Sequence, residues 1–143
     1  MEQINRVTPS FAVAPQIMPD DLAAIAAEGF RTIINVRPDG EVAGQPPGAV
    51  IEAEAKRLGL GYCHIPVVAN AIADADIAAF EDAMTKSEGP VFCYCRSGTR
   101  AVILWVLAEA PRQEPFALLK VADAAGYDIS GVLSRLEQRH KAV

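Results

Sequence analysis

The stretch that decides the fold is Val91-Phe92-Cys93-Tyr94-Cys95-Arg96-Ser97-Gly98-Thr99-Arg100, which is followed by the apolar run 101–107. Gly89 and Pro90 precede this stretch, and its first four residues are β-branched, aromatic or Cys, which predicts a buried strand. Thr99 or Gly98 then opens a buried helix. The sequence therefore predicts a strand, a tight loop and a helix, with Cys95 at the carboxyl end of the strand.

Cys95 is the predicted nucleophile. Backbone N–H groups of a tight loop and of the first turn of a helix form an anion site, to which Arg96 and Arg100 add positive charge. Such surroundings favour thiolate over thiol. A cysteine that only fills space needs neither these arginines nor Gly98, whereas Cys93 lies inside the strand, where packing explains it.

The loop 95–100 resembles the active-site loop of rhodanese-type sulfurtransferases, in which the cysteine carries a sulfane sulfur as a persulfide. It has the form Cys-x4-Arg. Cysteine-dependent phosphatases of the tyrosine and dual-specificity type have Cys-x5-Arg, usually after a His, where this chain has Tyr94. A phosphate dianion needs a ring of amides wide enough for three oxygens, whereas a persulfide needs a narrower cup. The short loop therefore argues against efficient phosphatase chemistry.

Composition limits the classes of function. The chain has 143 residues, 51% of them hydrophobic, which is enough for one domain with a core, taken as residues 1–143. A net charge of -5 makes nucleic acid and anionic membranes poor partners. Three cysteines without a secreted spacing, and no signal peptide or membrane span, indicate a cytoplasmic protein. Cys-x-Cys with only His64 and His140 elsewhere is a poor metal site, so no metal or cofactor is expected.

Strands and helices alternate along the chain. Strands are predicted at residues 11–17, 32–36, 61–67 and 91–94, and helices at 20–28, 51–58, from 74, from 99, at 116–125 and at 129–138. Gly29, Gly59 and Gly126 end three of these helices. This alternation predicts an α/β fold with a parallel central sheet covered by helices on both faces.

The order of elements is closer to a dual-specificity phosphatase than to a rhodanese, because a full helix precedes the strand 61–67 and two helices follow the Cys95 helix. Nearly end to end, the chain resembles the beta-lactamase hydrolase-like sulfurtransferases, a family with a protein-tyrosine/dual-specificity-phosphatase-like fold and a rhodanese-like loop. The matching stretches are 16–21, 29–45, 62–67, 89–105 and 125–128, with Asn35-Val36-Arg37-Pro38-Asp39-Gly40-Glu41 and His64-Ile65-Pro66-Val67 among them.

The resemblance implies sulfur transfer through a Cys95 persulfide, from a donor such as thiosulfate or glutathione persulfide to an acceptor thiol. Arg100 is expected to fix the loop or hold the donor's anionic end, and Arg96 to select the donor. The expected substrate-binding residues are Arg96, Ser97, Gly98 and Thr99. In that family the domain is often fused to a metallo-β-lactamase-like persulfide dioxygenase and implicated in sulfide detoxification. Here we expect such coupling with a separate protein.

Two other functions stay open at this point. A low-activity cysteine-dependent phosphatase has the fold in its favour and needs a general acid, for which Asp74 or Asp76 lies in the right region. Their place in the first turn of a helix explains both without catalysis. A non-enzymatic thiol redox sensor needs Cys93 or Cys63 to reach Cys95.

Three further polar side chains are candidates for the site. His64 is interpreted either as a proton shuttle or as a hydrogen-bonded core residue. Asp39 and Glu41 follow the carboxyl end of a strand, and in a parallel sheet this is the edge that also carries Cys95. Trp105, on the apolar helix after the loop, is predicted to be core.

Overall fold

Five strands form one sheet in the computed structural model, which describes residues 3–142. The strands are β1 (Asn5–Thr8), β2 (Phe11–Ala14), β3 (Thr32–Asn35), β4 (Gly61–His64) and β5 (Val91–Tyr94), in the spatial order β1-β2-β5-β3-β4. β2, β5, β3 and β4 run parallel, and β1 pairs with β2 antiparallel. β5 is the central strand, so the residues after it lie in the middle of the sheet's carboxyl edge.

Six α-helices lie within the same described range. They are α1 (Leu22–Ala27), α2 (Gly48–Arg57), α3 (Asp74–Lys86), α4 (Thr99–Glu109), α5 (Pro115–Ala124) and α6 (Leu133–Lys141). Short 3₁₀ turns, Pro19–Asp21 and Ser130–Val132, lead into α1 and α6. None of the helices in residues 3–142 is long and apolar enough to cross a membrane.

The helices cover both faces of the sheet, because side chains of successive strand residues point to opposite faces. Phe11 and Cys93 pack with α3, α4, α5 and α6, whereas Phe92 and Tyr94 pack with α1 and α2. Trp105 is buried in the first of these layers and stacks on Phe11, with ring centroids 6.1 Å apart. The predicted α/β fold with a parallel sheet covered on both faces is confirmed, and Trp105 belongs to the core.

Several elements differ from the prediction. β2 ends at Ala14 and not at 17, β4 ends at His64 and not at 67, and α6 begins at Leu133 and not at 129. β1 is an additional edge strand that the sequence does not predict, because it pairs on one side only and buries none of its residues fully. α2 begins at Gly48, three residues before its predicted start. Pro47 is extended there, and the Asp39 carboxylate accepts the Gly48 N–H at 2.8 Å, which gives the helix its first turn.

Candidate active site

The loop after β5 is fixed to the neighbouring strand before it turns into α4. The Cys95 N–H donates to the Ala14 carbonyl at 3.4 Å, and the Arg96 carbonyl accepts from the Gln16 N–H at 3.2 Å. Gly98 immediately precedes α4 and has a φ of +97°. This left-handed conformation is costly for a residue with a Cβ, so glycine permits the chain to enter the helix three residues after Cys95.

The Cys95 thiol lies under this loop. The Gly98 N–H donates to Cys95 Sγ at 3.1 Å, and the whole residue is 0% exposed. α4 begins at Thr99, so the positive end of its dipole adjoins the sulfur. The sequence predicts that N–H groups of the loop and of the first turn of the helix surround the sulfur. Among the described residues 97–100, the Gly98 N–H is the backbone group that donates to it. A ligand therefore reaches Sγ only after residues around Cys95 move.

Arg100 is held by Glu41. Its Nη1 and Nη2 donate to the two carboxylate oxygens at 2.7 and 2.9 Å, and Nη1 also donates to the Val67 carbonyl at 2.9 Å. Arg37 Nε donates to the same carboxylate at 2.8 Å, while Arg37 Nη1 donates to Gln16 Oε1 at 3.0 Å. The hydrogen bonds from Arg100 and then Arg37 lower the pKa of Glu41 from 4.5 to about 2, against the opposing effect of burial. Glu41 is therefore charged at neutral pH and fixes both guanidinium groups.

His64 and Asp39 have structural partners at the same edge. His64 Nε2 lies 2.8 Å from the Arg37 carbonyl oxygen, so this ring supports the segment that carries Arg37. Asp39 accepts from the first N–H of α2. Neither side chain lines the cavity beside the Cys95 loop.

A cavity of about 400 Å³ opens beside the loop, between α4, the segment 69–72 and the start of α6. Ile72, Ile103, Leu107 and Val132 form its apolar wall. Its charged lining residues are Arg96, Arg100 and Arg135, and none of the described carboxylates lines it. Arg96 is exposed, as expected of a residue that meets a ligand from solvent. Such a cavity suits an anionic ligand with an apolar part.

The two candidate general acids lie outside this cavity. Asp74 is 85% exposed and accepts from Arg135 Nη2 at 2.9 Å. Asp76 accepts from the Ala73 N–H at 2.8 Å and so stabilises the start of α3. Neither carboxylate is among the residues that line the cavity, although Asp74 contacts Arg135, which does line it.

All three cysteines are free. Cys63 on β4 and Cys93 on β5 both pair with Ile34 of the strand between them, which separates the two backbones by roughly 10 Å. This distance exceeds the reach of a disulfide. Burial raises the pKa of the Cys93 thiol well above its ordinary value, and burial also raises that of Cys63. The spacing excludes a Cys63–Cys93 disulfide, and the raised pKa values argue against either thiol as a ready nucleophile toward Cys95.

Comparison with known proteins identifies the family of this chain. The sequence profile of the family described as "Beta-lactamase hydrolase-like protein, phosphatase-like domain" matches residues 3–112. The chain belongs to this family. A beta-lactamase hydrolase-like protein of Agrobacterium fabrum is 39% identical over 140 residues, which cover 96% of this chain and 32% of that protein. The chain thus spans about a third of the length of the curated relatives it matches.

Solved structures share the fold of this member of the beta-lactamase hydrolase-like family. A proposed phosphatase of Neisseria meningitidis is 33% identical, with a TM-score of 0.87 over 95% of this chain and 97% of that one. The catalytic core of the PP-IP phosphatase SIW14 of S. cerevisiae, 11% identical with a TM-score of 0.69 over 94% of this chain and 83% of that one, shares the fold alone. The protein-tyrosine/dual-specificity-phosphatase-like fold is confirmed. These names support the phosphatase alternative better than the sulfurtransferase interpretation, which they do not test.

Three residues contribute to the site although the sequence does not predict them. The Tyr127 hydroxyl, after α5, donates to the Ser97 carbonyl at 3.0 Å. Asn5 Nδ2, on β1, donates to Tyr127 Oη at 2.8 Å. Arg135 reaches the cavity from α6. For Glu41, by contrast, a signal existed, since it comes after a parallel strand at the edge that carries Cys95.

Proposed function

We propose that this chain is a sulfurtransferase in which Cys95 carries sulfane sulfur from a thiosulfate or persulfide donor to a thiol acceptor. The observation that carries the proposal is the cavity beside the Cys95 loop, whose charged lining groups are three arginines. No described carboxylate lines the cavity, although Glu41 pairs with Arg100 and Asp74 pairs with Arg135. Positive charge attracts an anionic donor. The missing carboxylate matters because sulfur transfer and phosphate ester hydrolysis differ in their leaving groups.

Sulfur transfer needs no acid at this site. The Cys95 thiolate attacks the outer sulfur of thiosulfate, the new S–S bond forms as the donor's S–S bond breaks, and sulfite departs with the electron pair. An acceptor thiolate then attacks the outer sulfur of the Cys95 persulfide, and Cys95 leaves as thiolate. Sulfite and thiolates are weak bases compared with an alkoxide, so neither departure requires a proton.

The loop supplies the remaining requirements of this chemistry. The Gly98 N–H already bonds to Sγ and is placed to stabilise negative charge on the thiolate. Arg100, fixed by Glu41, holds positive charge beside the sulfur. Exposed Arg96 is the residue placed to select the anionic end of the donor. The resemblance implies a persulfide dioxygenase, in sulfide detoxification, as the partner of this activity.

Phosphatase activity is the second candidate, because similar structures carry phosphatase names. Attack of Cys95 on an alkyl phosphate expels an alkoxide, which needs a general acid. Asp74 is paired with Arg135 at the edge of the cavity and Asp76 with the Ala73 N–H, and neither carboxylate lines the cavity itself. The Cys-x4-Arg loop also offers a smaller ring of amides to the phosphoryl oxygens.

Intact-protein mass spectrometry tests the proposal. Reduced protein is incubated with thiosulfate or glutathione persulfide, beside Cys95→Ser and the matched control Cys93→Ala. We expect one added sulfur, about 32 Da, on wild type and on the control, released by excess thiol and absent from Cys95→Ser. Hydrolysis of an aryl phosphate and of an alkyl phosphate is measured in parallel.

The outcomes separate the two candidates. Sulfur loading that survives Cys95→Ser, or that never occurs with either donor, contradicts the proposal. Cys95-dependent hydrolysis of the alkyl phosphate without sulfur loading establishes the phosphatase alternative instead. Loading together with weak aryl phosphate turnover supports sulfur transfer, because an aryl leaving group departs without a general acid.

A further inference from the structure

Tyr127 contacts the Cys95 loop at one peptide unit. Its hydroxyl donates to the Ser97 carbonyl at 3.0 Å, and a Cβ built on Gly98 would overlap the same hydroxyl, so the oxygen lies directly against Gly98. Tyr127 follows α5, 30 positions from Ser97 in the chain. The contact therefore joins the loop to a part of the fold that local chain geometry does not require.

The N–H group of the same peptide unit points at the nucleophile Cys95. The Ser97 carbonyl and the Gly98 N–H belong to one planar group, in which the two bonds point in opposite directions. Tyr127 binds the carbonyl end, and the Gly98 N–H donates to Cys95 Sγ at 3.1 Å. Rotation of this peptide would break both hydrogen bonds together.

Asn5 gives the Tyr127 hydroxyl its direction. Asn5 Nδ2 donates to Tyr127 Oη at 2.8 Å, so the hydroxyl hydrogen is left to donate to Ser97. Burial raises the pKa of Tyr127, and the charge of Cys95 adds to the effect, so the hydroxyl keeps its proton at neutral pH. Donors and acceptors linked in this way polarise one another, and each hydrogen bond strengthens the next.

We infer that Tyr127 is a positioning residue that orients the 97–98 peptide and strengthens the Gly98 hydrogen bond to the Cys95 thiolate. Asn5 orients Tyr127 in turn. The series Asn5, Tyr127, Ser97–Gly98 and Cys95 thus connects the edge strand β1 to the sulfur. The inference depends on Cys95 as the nucleophile of the proposed function, but it concerns the thiolate and not the group transferred.

Other groups near the sulfur remain in place when the Tyr127 hydroxyl is removed. They are Arg100 on α4, Arg96 in the loop, Cys93 on β5 and, through Arg100, Glu41. Arg100 is fixed by Glu41 and Val67 without any contact to Tyr127. A change caused by Tyr127→Phe is therefore assigned to the peptide and not to the charges.

Iodoacetamide alkylation of Cys95, followed across pH by peptide mass spectrometry, tests the inference. Each profile gives a midpoint pH, which reports thiolate formation, and a plateau rate, which reports access to the sulfur. We expect Tyr127→Phe to move the midpoint upward by about half a pH unit, because a charge-assisted hydrogen bond is weakened but not removed. The matched control is Tyr62→Phe, which removes a partly buried hydroxyl that accepts from Asn35, and we expect no shift from it.

The hydrogen bond from Asn5 to Tyr127 provides a second variant for the test. Asn5→Leu should shift the midpoint in the same direction by less, and should add nothing when combined with Tyr127→Phe. A higher plateau with an unmoved midpoint means that Tyr127 only restrains the loop, and overturns the inference. If Tyr127→Phe does not fold, Asn5→Leu decides: an upward shift supports the inference and an unchanged midpoint rejects it.

Alkylation involves no sulfur transfer, so this result and that of the sulfur-loading assay are independent. A shifted midpoint without sulfur loading leaves the positioning role intact and rejects the proposed function. Sulfur loading with an unmoved midpoint supports the proposed function and rejects the positioning role of Tyr127.

Discussion

Glu41→Gln tests how the active-site arginine is held. The native carboxylate accepts two hydrogen bonds from Arg100 and one from Arg37. An amide keeps one accepting oxygen and turns an NH₂ group toward a guanidinium donor, so at least one hydrogen bond is lost. Both buried guanidinium groups also lose their counter-charge, which is the costly part of the change.

The size of the effect is given by the pKa of Glu41. Its lowering from 4.5 to about 2 corresponds to about 3 kcal/mol at full strength. The Glu41 side chain is 25% exposed, and solvent screens part of this energy, so we expect the free energy of unfolding to fall by about 1 to 2 kcal/mol. For a chain of 143 residues this lowers Tm by roughly 3 to 7 °C.

Thermal unfolding monitored by circular dichroism between pH 3 and pH 7 measures this loss. Because the folded-state pKa of Glu41 is depressed, its contribution is complete above about pH 4.5 and disappears as the pH falls toward 2. The Tm difference between wild type and Glu41→Gln should therefore shrink in acid. Glu54→Gln is the matched control, since Glu54 pairs with exposed Arg57 on α2. Equal Tm values for the two variants at pH 7 would refute the reasoning.

Three further variants test the loop and the core. Gly98→Ala puts a Cβ on a residue with a φ of +97°, so we expect sulfur loading to slow by at least about tenfold, and unchanged loading kinetics would contradict the loop geometry. Phe11→Ala removes the ring that stacks on Trp105 and should cost about 3 to 5 kcal/mol in urea unfolding; a cost below 1 kcal/mol, roughly, would contradict the core assignment. Cys93→Ala should keep the stoichiometry of sulfur on Cys95, and its loss would revive the redox-sensor interpretation.

Local signals predicted the central unit of this fold. β5 has its predicted bounds because Gly89 and Pro90 mark its start and the charged loop marks its end. The strand predicted at 61–67 ends instead at His64, although the Ile65 and Val67 N–H groups still donate to the Asn35 and Val36 carbonyls. Pro66 between them has no N–H to donate. β1 gave no usable signal, since an edge strand with partly exposed residues lacks the apolar alternation of a buried one.

The site was predictable where its residues are close in sequence. Cys95, Gly98 and Arg100 fall within one loop, whose spacing alone indicates a cradle for an anion. The residues that contact this loop from distant parts of the chain were not predictable. Asn5 and Tyr127, for example, are 122 positions apart. The residues that form such a contact are determined by the packing of α5 and β1. The hydrophobic periodicity of the sequence does not predict this packing.

The fold positions the cysteine thiolate for attack, whereas the leaving group determines whether a general acid is also required. Activity on model substrates must therefore be interpreted by leaving group. The fold presents Cys95 at the end of the central strand, with α4 behind it, and that arrangement serves attack on phosphorus or on sulfur alike. The outcome of the attack depends on whether the departing atom needs a proton. Aryl phosphates release a weakly basic phenolate, so hydrolysis of an aryl phosphate by this site would require only the thiolate and the arginines of the cavity. Hydrolysis of an alkyl phosphate requires an acid that the described cavity lacks, and comparison of the two esters therefore measures the general acid, not the fold.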